Sequence, residues 1–548
     1  MCGLGLNMNE TPSMTSSARV ITALFICGAL AFFAMRITEN QADNDLWGHV
    51  LYGERAMALG VLYEKTDPFS WTVPGAPWNN HEILAERIMG WTHLHFGSSG
   101  LLALPVLAAV LCLLLAWRAR VQRAPLIAFA ALLLLNSNGI ALGFAIRPQL
   151  FSAVALCALL ALTTRTAAGN RLAPFAIPLL IAAWVNTHGG ALAATVLLGA
   201  AAAMETAVVV AARLRPPLVE PLPEPSSARV VRTFWCIALA SIAALCINPY
   251  GLRLPMWLLE SVSYVRPEIR EWQPLPLSFS QPNMWLITVP FAVTVLLTAL
   301  ALWRSRRTWR PWEAAALGLL ALMAVRHQRH VPLFSLAALC LAPLPLAEAM
   351  RSTTGAWRQV RDFWTRPIGK TLLAVVACFL LGQAALTLVR RPWPTKVVVE
   401  RNVFPVRAIE FMKLNGLQGR TLSHFDWSQQ LLWELPQCTV SFDGRLDTVY
   451  PRDVIQAHWR LGEGDPAAYE FLRGQTADVA LQPAGSAVWR LLEARGWTLV
   501  YRDELADVLV NRSGAFGAST ETLRPPEDAP RANRLFSLFP ETPSERVR

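Results

Sequence analysis

Charge is scarce in this sequence. Asp, Glu, Lys and Arg make up 16% of its 548 residues, against about 25% in globular chains. Apolar residues make up 54% and mean hydropathy is +0.35, so an ordinary soluble enzyme is excluded. Paired cysteines are lacking too. No CxxC occurs among the nine cysteines, and Cys27, Cys112, Cys157, Cys236, Cys246, Cys340 and Cys378 fall in or beside apolar runs, where cysteine serves as a small hydrophobe. With Cys2 and Cys438 standing apart, neither a disulfide framework nor a zinc site is indicated. The start of the chain lacks a basic leader and a convincing cleavage site, so its first apolar run is expected to be a retained helix. No internal repeat is evident. The net charge of +11 comes without a nucleic-acid-binding motif, which points to membrane topology rather than to nucleic acid.

What the sequence has is long apolar runs. They lie at 19–36, 101–117, 125–146, 150–164, 172–187, 191–212, 233–247, 284–303, 312–325, 331–347 and 371–389, each near the roughly 20 residues that cross a bilayer. They predict a polytopic α-helical membrane protein with about 11 transmembrane helices in a domain spanning 1–390. Basic residues gather in alternate connections: Arg118, Arg120 and Arg123; Arg165 and Arg171; Arg213, Arg215, Arg229 and Arg232; Arg304, Arg306, Arg307 and Arg310; and Arg351, Arg358, Arg361, Arg366 and Lys370. By the positive-inside rule these connections and the N-terminus are cytoplasmic. The loop 38–97, the loop 248–281 and everything beyond 390 then lie outside. The Pro- and Glu-rich stretch 216–227 is predicted to be a cytoplasmic linker.

Residues 391–512 change character, with mixed charge and alternating short elements. Helices are expected at 404–414, 427–435, 451–461 and 486–495, and strands at 421–424, 439–443, 477–481, 498–501 and 508–511. This predicts an extracytoplasmic α/β domain. The polar, Pro-containing stretch 513–548 is expected to be a disordered tail.

The chemistry concentrates in the first outer loop. Apolar positions Leu46, Trp47, Val50, Leu51 and Ala58 predict a one-sided helix stopped by Gly60, lying flat on the outer membrane surface. Asp43 and Asp45 stand at its start and His49 one turn beyond. A second helix, capped by Asn80, carries His81, Glu82 and Glu86 in its first turns. Capping explains one acid at each helix start. It does not explain two histidines and two tryptophans, Trp47 and Trp78, in the same loop, and carboxylates clustered in a cleft mark a site. Further polar residues fall at the outer ends of other spans: Arg147, His188 within the run 184–190, Glu271 beside Trp272, and Arg329 with His330. Arginines outside oppose the positive-inside trend. Arg147, Arg329 and His330 could clamp a lipid phosphate, with snorkelling to headgroups as the ordinary alternative. Asp443, Arg445 and Asp447 follow a strand and are expected to form a strand-end salt bridge rather than catalytic machinery.

The run Asp43-x-Asp45-Leu46-Trp47-x-His49, with Asp67-Pro68-Phe69-Ser70-x-Thr72 and Trp78-x-x-His81-Glu82, resembles the membrane glycosyltransferases of the C superfold. These include the oligosaccharyltransferase, protein O-mannosyltransferase and lipid A aminoarabinose transferase groups, and the run is most similar to a bacterial branch of uncharacterised members. The resemblance implies transfer of a hexosyl or pentosyl group from a polyprenyl-phosphate carrier, with inversion. The acceptor would be a lipid, glycan or protein at the outer face of the bacterial inner membrane. It also implies Asp45 or Asp43 as general base, with Glu82 and His81 orienting the acceptor or a metal. Asp43, Asp45 and Glu82 would hold a divalent cation (Mg or Mn), and His49, His81, Arg147, His188, Arg329 and His330 would contact substrate or phosphate. Asn44 splits the paired acids of some relatives, which leaves both aspartates as candidates for the base. A transporter or flippase of a lipid-linked saccharide is the second reading. It should show ionisable residues at mid-span and broken helices at matching positions. A non-catalytic scaffold would have no need of clustered loop carboxylates.

Overall fold

The computed structural model describes residues 16–119, 124–214, 227–276, 284–305, 309–351, 359, 362–364, 366–516, 523–524 and 535–543. All eleven apolar runs are helical. In chain order the helices are α1 (Ser16–Ile37), α2 (Leu46–Ala58), α3 (Ile83–Ala119), α4 (Leu126–Ala141), α5 (Gln149–Ala167), α6 (Ala173–Trp184) and α7 (Ala191–Leu214). Then come α8 (Ala228–Ala244), α9 (Arg253–Ser263), α10 (Trp285–Arg304), α11 (Pro311–Arg326), α12 (Val331–Leu341), α13 (Pro343–Arg351) and α14 (Pro367–Arg390). Among the described residues, α1, α3, α5, α7, α10 and α14 are each long and apolar enough to cross a membrane. The α12 and α13 stretch, bent by 52° where Pro343 cannot continue the backbone ladder, would make a seventh. The chain is a multi-pass α-helical membrane protein, although length and composition do not bring the crossings to eleven. The predicted linker at 216–227 lies outside the described residues except for Ser227, which caps α8.

α1 packs along α14, so the first outer loop and the C-terminal region leave the bundle side by side. Asn40 ties them together. Its side-chain amide donates to the carbonyls of Pro392, Trp393 and Lys396 at 3.0, 3.0 and 2.9 Å. Its own carbonyl accepts from the Val398 N–H at 2.7 Å.

Beyond α14 the chain folds as the α/β region the sequence predicts. Strands β2 (Arg420–Ser423), β3 (Thr439–Val440), β4 (Val479–Pro483), β5 (Trp497–Arg502) and β6 (Ala506–Asn511) form one sheet in the order β3-β2-β4-β6-β5. β2 runs parallel to β3 and β4, whereas β6 is antiparallel to β4 and β5. Helices α15 (Val406–Leu414), α16 (Ser428–Glu434), α17 (Arg452–Gly462) and α19 (Ala487–Ala494) match the expected segments within two residues, while α18 (Pro466–Phe471) is additional. A second ribbon pairs β1 (Val398–Glu400) with β7 (Phe536–Leu538). β7 corrects the expectation of a disordered tail over residues 535–543. Phe539 is fully buried against Trp47, and Glu541 accepts from the Ser98 N–H and hydroxyl at 3.1 and 2.6 Å, where α3 kinks at Gly97. One buried aromatic anchors a segment whose average composition reads as unstructured.

α2 also corrects an expectation. It does not lie on a membrane surface: nine of its 13 residues are buried. One face crosses α3 so closely that a Cβ on Gly53 would overlap the Glu86 carbonyl, and one on Gly90 would come within 2.6 Å of the Glu54 amide. The other face packs into the C-terminal region, with Trp47 between Phe404 and Phe539 at ring distances of 4.8 and 5.2 Å. The loop after α2 extends the sheet. The Val440 N–H donates to the Phe69 carbonyl at 2.9 Å and the Trp71 N–H to the Val440 carbonyl at 3.1 Å. The first outer loop and the C-terminal sheet thus share one core, and that core fixes where the loop's acids point.

Candidate active site

Five loop segments converge at one end of the helical bundle. The turn between α4 and α5 brings Arg147 to the start of α2, where its Nε donates to the Asp43 carboxylate. Its Nη2 lies 3.3 Å from Asp45 Oδ2 and its Nη1 lies 3.6 Å from Glu271 Oε2. The other Glu271 oxygen is 3.5 Å from Arg329 Nη1. Asp43 is further committed, since its Oδ1 accepts the Asp45 N–H at 3.1 Å. Asp45, by contrast, caps α2 by position without using its side chain. Burial raises its carboxyl to about 6, against the opposing pull of Arg147.

The second half of the site surrounds Glu82. Three imidazoles approach its carboxylate: His81 Nε2 at 3.7 Å, His49 Nδ1 at 3.8 Å and His188 Nε2 at 3.9 Å. Burial alone would raise Glu82, but His81, His49, His188 and Arg329 together hold it below its ordinary value. Glu86, one helical turn on, lies 3.5 Å from His49 Nδ1 and accepts from the Asn80 amide at 2.6 Å. Burial opposes protonation of His49, yet the Glu86 hydrogen bond and the charges of Glu82, Glu86 and Asp45 raise it to about 9. It is an imidazolium at neutral pH.

His188 is its opposite. The Trp184 indole N–H donates to Ser152 Oγ at 2.7 Å, and Ser152 Oγ lies 2.8 Å from His188 Nδ1. The Gly190 N–H also donates to Nδ1, at 3.1 Å. With Nδ1 accepting, the ring proton belongs on Nε2, facing Glu82. Burial lowers His188 to about 3, so it stays neutral. Gly190 has no room for a side chain, because a Cβ there would sit 2.6 Å from Ser152 Oγ and 3.1 Å from His188 Nδ1.

The C-terminal region forms a further wall of the site. With its amide oriented to satisfy both groups, Gln429 donates to the Asp45 and Asn44 carbonyls at 3.0 and 3.2 Å. The Asn44 amide donates to Asp426 at 2.8 Å. Gly444 lies so close that a Cβ would stand 2.5 Å from Asp45 Oδ1. Its neighbours Asp443 and Arg445 form the expected salt bridge, but it is buried and extended. The Arg445 Nη2 and Asp443 Oδ2 pair is 2.7 Å apart, and Arg445 Nη1 reaches Asp67 Oδ1 at 2.7 Å. Asp447 instead meets Arg266 at 2.9 Å.

The structure therefore gathers Asp43, Asp45, Glu82, His49, His81, Arg147, His188 and Arg329 around one site. The ring of His330 lies 5.9 Å from that of His327. The acids fall into two groups. Asp43 and Asp45 are engaged with Arg147, and the group among the described residues whose donor atoms lie mutually within 4.8 Å is His49, Glu82 and Glu86. Sequence reasoning passed over Glu86 as a site residue, although it shares a helix face with Glu82. Ser152 carries no signal at all, being one hydroxyl in an apolar run.

No family model matches the chain, and no curated protein matches it. Solved structures do. The apo oligosaccharyltransferase of Archaeoglobus fulgidus aligns with 84% of this chain and 69% of its own, at 13% identity and a TM-score of 0.53. The same enzyme tethered to an acceptor peptide containing the NVT sequon aligns with 90% of this chain and 74% of its own, at 12% identity and a TM-score of 0.50. ArnT from Cupriavidus metallidurans, bound to undecaprenyl phosphate, aligns with 94% of this chain and 100% of its own, at 13% identity and a TM-score of 0.51. The chain has the fold of the C-superfold membrane glycosyltransferases.

Proposed function

We propose that this protein is a membrane glycosyltransferase that moves a sugar from a polyprenyl-phosphate carrier to an acceptor on the outer face of the bacterial inner membrane. The observation that carries this reading is a lightly engaged carboxylate at Asp45, placed at one end of the bundle beside Arg147, which Glu271 links to Arg329. In a transferase of this kind the acceptor oxygen bonds to the anomeric carbon as the bond from that carbon to the phosphate oxygen breaks. Asp45 takes the acceptor proton, and a carboxyl near 6 suits a base working close to neutral pH. Asp43 is the lesser candidate because Arg147 and the Asp45 N–H already use it. Arg147 and Arg329 meet the negative charge that gathers on the departing phosphate. His188 is a neutral imidazole facing Glu82, and Glu82 with His81 orients the acceptor hydroxyl.

The donor set of His49, Glu82 and Glu86 fits a divalent cation, one imidazole and two carboxylates being a combination more at home with Mn or Zn than with Mg. When bound, such an ion would supply Lewis acidity in place of the His49 proton. The likeness to a structure bound to undecaprenyl phosphate supports a lipid-linked donor. The outer placement of the site follows from the positive-inside rule.

The test is transfer in membranes holding equal amounts of wild type, Asp45→Asn, Asp43→Asn and Glu82→Gln, supplied with radiolabelled polyprenyl-phosphate sugars. Transfer lost in Asp45→Asn and Glu82→Gln is the expected result. Equal transfer in all four would remove this mechanism. Accumulation of the labelled lipid in the opposite leaflet, without transfer, would favour a flippase.

A further inference from the structure

Glu271 belongs to the second outer loop, on the single 3-10 turn Arg270–Trp272. Its two carboxylate oxygens are divided between two cations, Oε2 on Arg147 at 3.6 Å and Oε1 on Arg329 at 3.5 Å. Both separations are long, at the outer edge of hydrogen-bond range. The Glu271 side chain is 38% exposed, against 19% and 20% for the arginines it bridges, so it approaches them from the solvent side.

Neither arginine depends on it. Arg147 is already fixed by Asp43 and Asp45 through its Nε and Nη2, which leaves Nη1 for Glu271. The Arg329 guanidinium lies 4.3 Å from the centre of the Trp272 ring, and Arg266 lies 4.4 Å from the same ring. This cation–π contact holds Arg329 in place whether or not a carboxylate is present.

We propose that Glu271 is a displaceable stand-in for the donor phosphate: an anionic group occupying both phosphate-binding arginines until the lipid phosphate expels it. This deepens the phosphate role assigned above to Arg147 and Arg329 and rests on that reading. A carboxylate presents two oxygens to two guanidiniums as a phosphate does, and two anions at one place exclude each other. Glu271 has solvent to move into. Its loose geometry makes it easy to displace, and its charge offsets that of the two arginines in the ligand-free protein.

The sign of one substitution separates this from the common expectation that removing a polar site residue weakens binding. Full-length protein in nanodiscs is titrated with radiolabelled undecaprenyl phosphate as wild type, Glu271→Gln, Glu271→Asp, Arg147→Gln and Arg329→Gln. Thermal melting confirms that each is folded. Glu271→Gln should bind about tenfold more tightly, and the gain should shrink at high salt as charge interactions are screened. Glu271→Asp, shorter by one methylene and unable to span both arginines, should shift the same way by less, and it decides the matter if the glutamine variant does not fold. Affinity unchanged or weakened in the Glu271 variants, with Arg147→Gln and Arg329→Gln both weakened, would overturn this inference while leaving the phosphate site standing. Binding indifferent to both arginine substitutions, or no binding by wild type, overturns the phosphate site and the inference together.

Discussion

Two clusters of acids and arginines lie within the same assembly of loops and C-terminal region, and they are built to opposite standards. In one, Arg445 is bonded to Asp443 and Asp67 at 2.7 Å each. Tyr450 donates to Asp443 at 3.0 Å, and Asp67 also accepts the Phe69 N–H at 2.8 Å. The guanidinium is enclosed by the rings of Tyr52, Phe69, Trp78 and Tyr450 at 4.9 to 5.9 Å. In the other, Arg147, Asp45, Glu271 and Arg329 meet at 3.3 to 3.6 Å and stay partly open to solvent. A buried, fully satisfied network joins the first loop to the C-terminal sheet and has nothing left to offer a substrate. A loose, half-exposed one retains unmet electrostatic capacity. Both clusters draw one partner from the first outer loop, so only their geometry tells a fastener from a site.

The sharpest way to break this comparison is at Glu82, where Glu82→Gln should lower transfer by about 100-fold or more and lower the melting temperature only modestly, through loss of a charge that the surrounding cations hold ionised. Arg445→Met should do the reverse in kind. Removing one member of a buried network costs about 3–5 kcal/mol, seen as a lower melting temperature and as proteolytic release of the C-terminal region. A stability equal to wild type would contradict the fastener role. Ser152→Ala removes the shorter of the two contacts that hold the His188 tautomer, so transfer should fall by about tenfold and the pH–rate profile should shift, whereas a structural hydroxyl would change melting without moving the profile. The smallest effect is on pH. His49 is raised from 6.5 to about 9, so the folded state holds its proton more tightly than the unfolded state. Its contribution to stability is complete below about 6.5 and fades as pH rises through about 9. Melting followed from pH 6.5 to 9.5 should decline in wild type, and His49→Gln should flatten that decline.

Much of the architecture was legible because apolar runs and short-range periodicity report on local structure. The run 371–389 lies inside α14, and residues 486–495 became α19 (Ala487–Ala494). The loop acids were legible as a cluster because Asp43, Asp45, His49, His81 and Glu82 are close in the chain. Their partners were not. Arg147 is 104 residues from Asp43, and Arg445 is 378 residues from Asp67, and no periodicity spans such distances. The same limit hid β7, three residues whose pairing with β1 depends on a partner more than a hundred positions away. It also concealed the burial of α2, since the faces that cover it come from α3 and from beyond α14. Asp443 and Arg445 were read as a turn-side ion pair, which is correct in kind. The loop residue that completes the pair, Asp67, is what turns it into a fastener.

The central claim is that the open cluster is the active site, and Asp45→Asn tests it most directly when transfer and melting are measured on one preparation. Because burial raises the Asp45 carboxyl to about 6, its ionised form is disfavoured in the folded state at pH 7. The account predicts that transfer from polyprenyl-phosphate sugars is lost while the melting temperature holds or rises. Transfer at the wild-type rate, or a loss of transfer matched by a collapse in melting temperature, would contradict it.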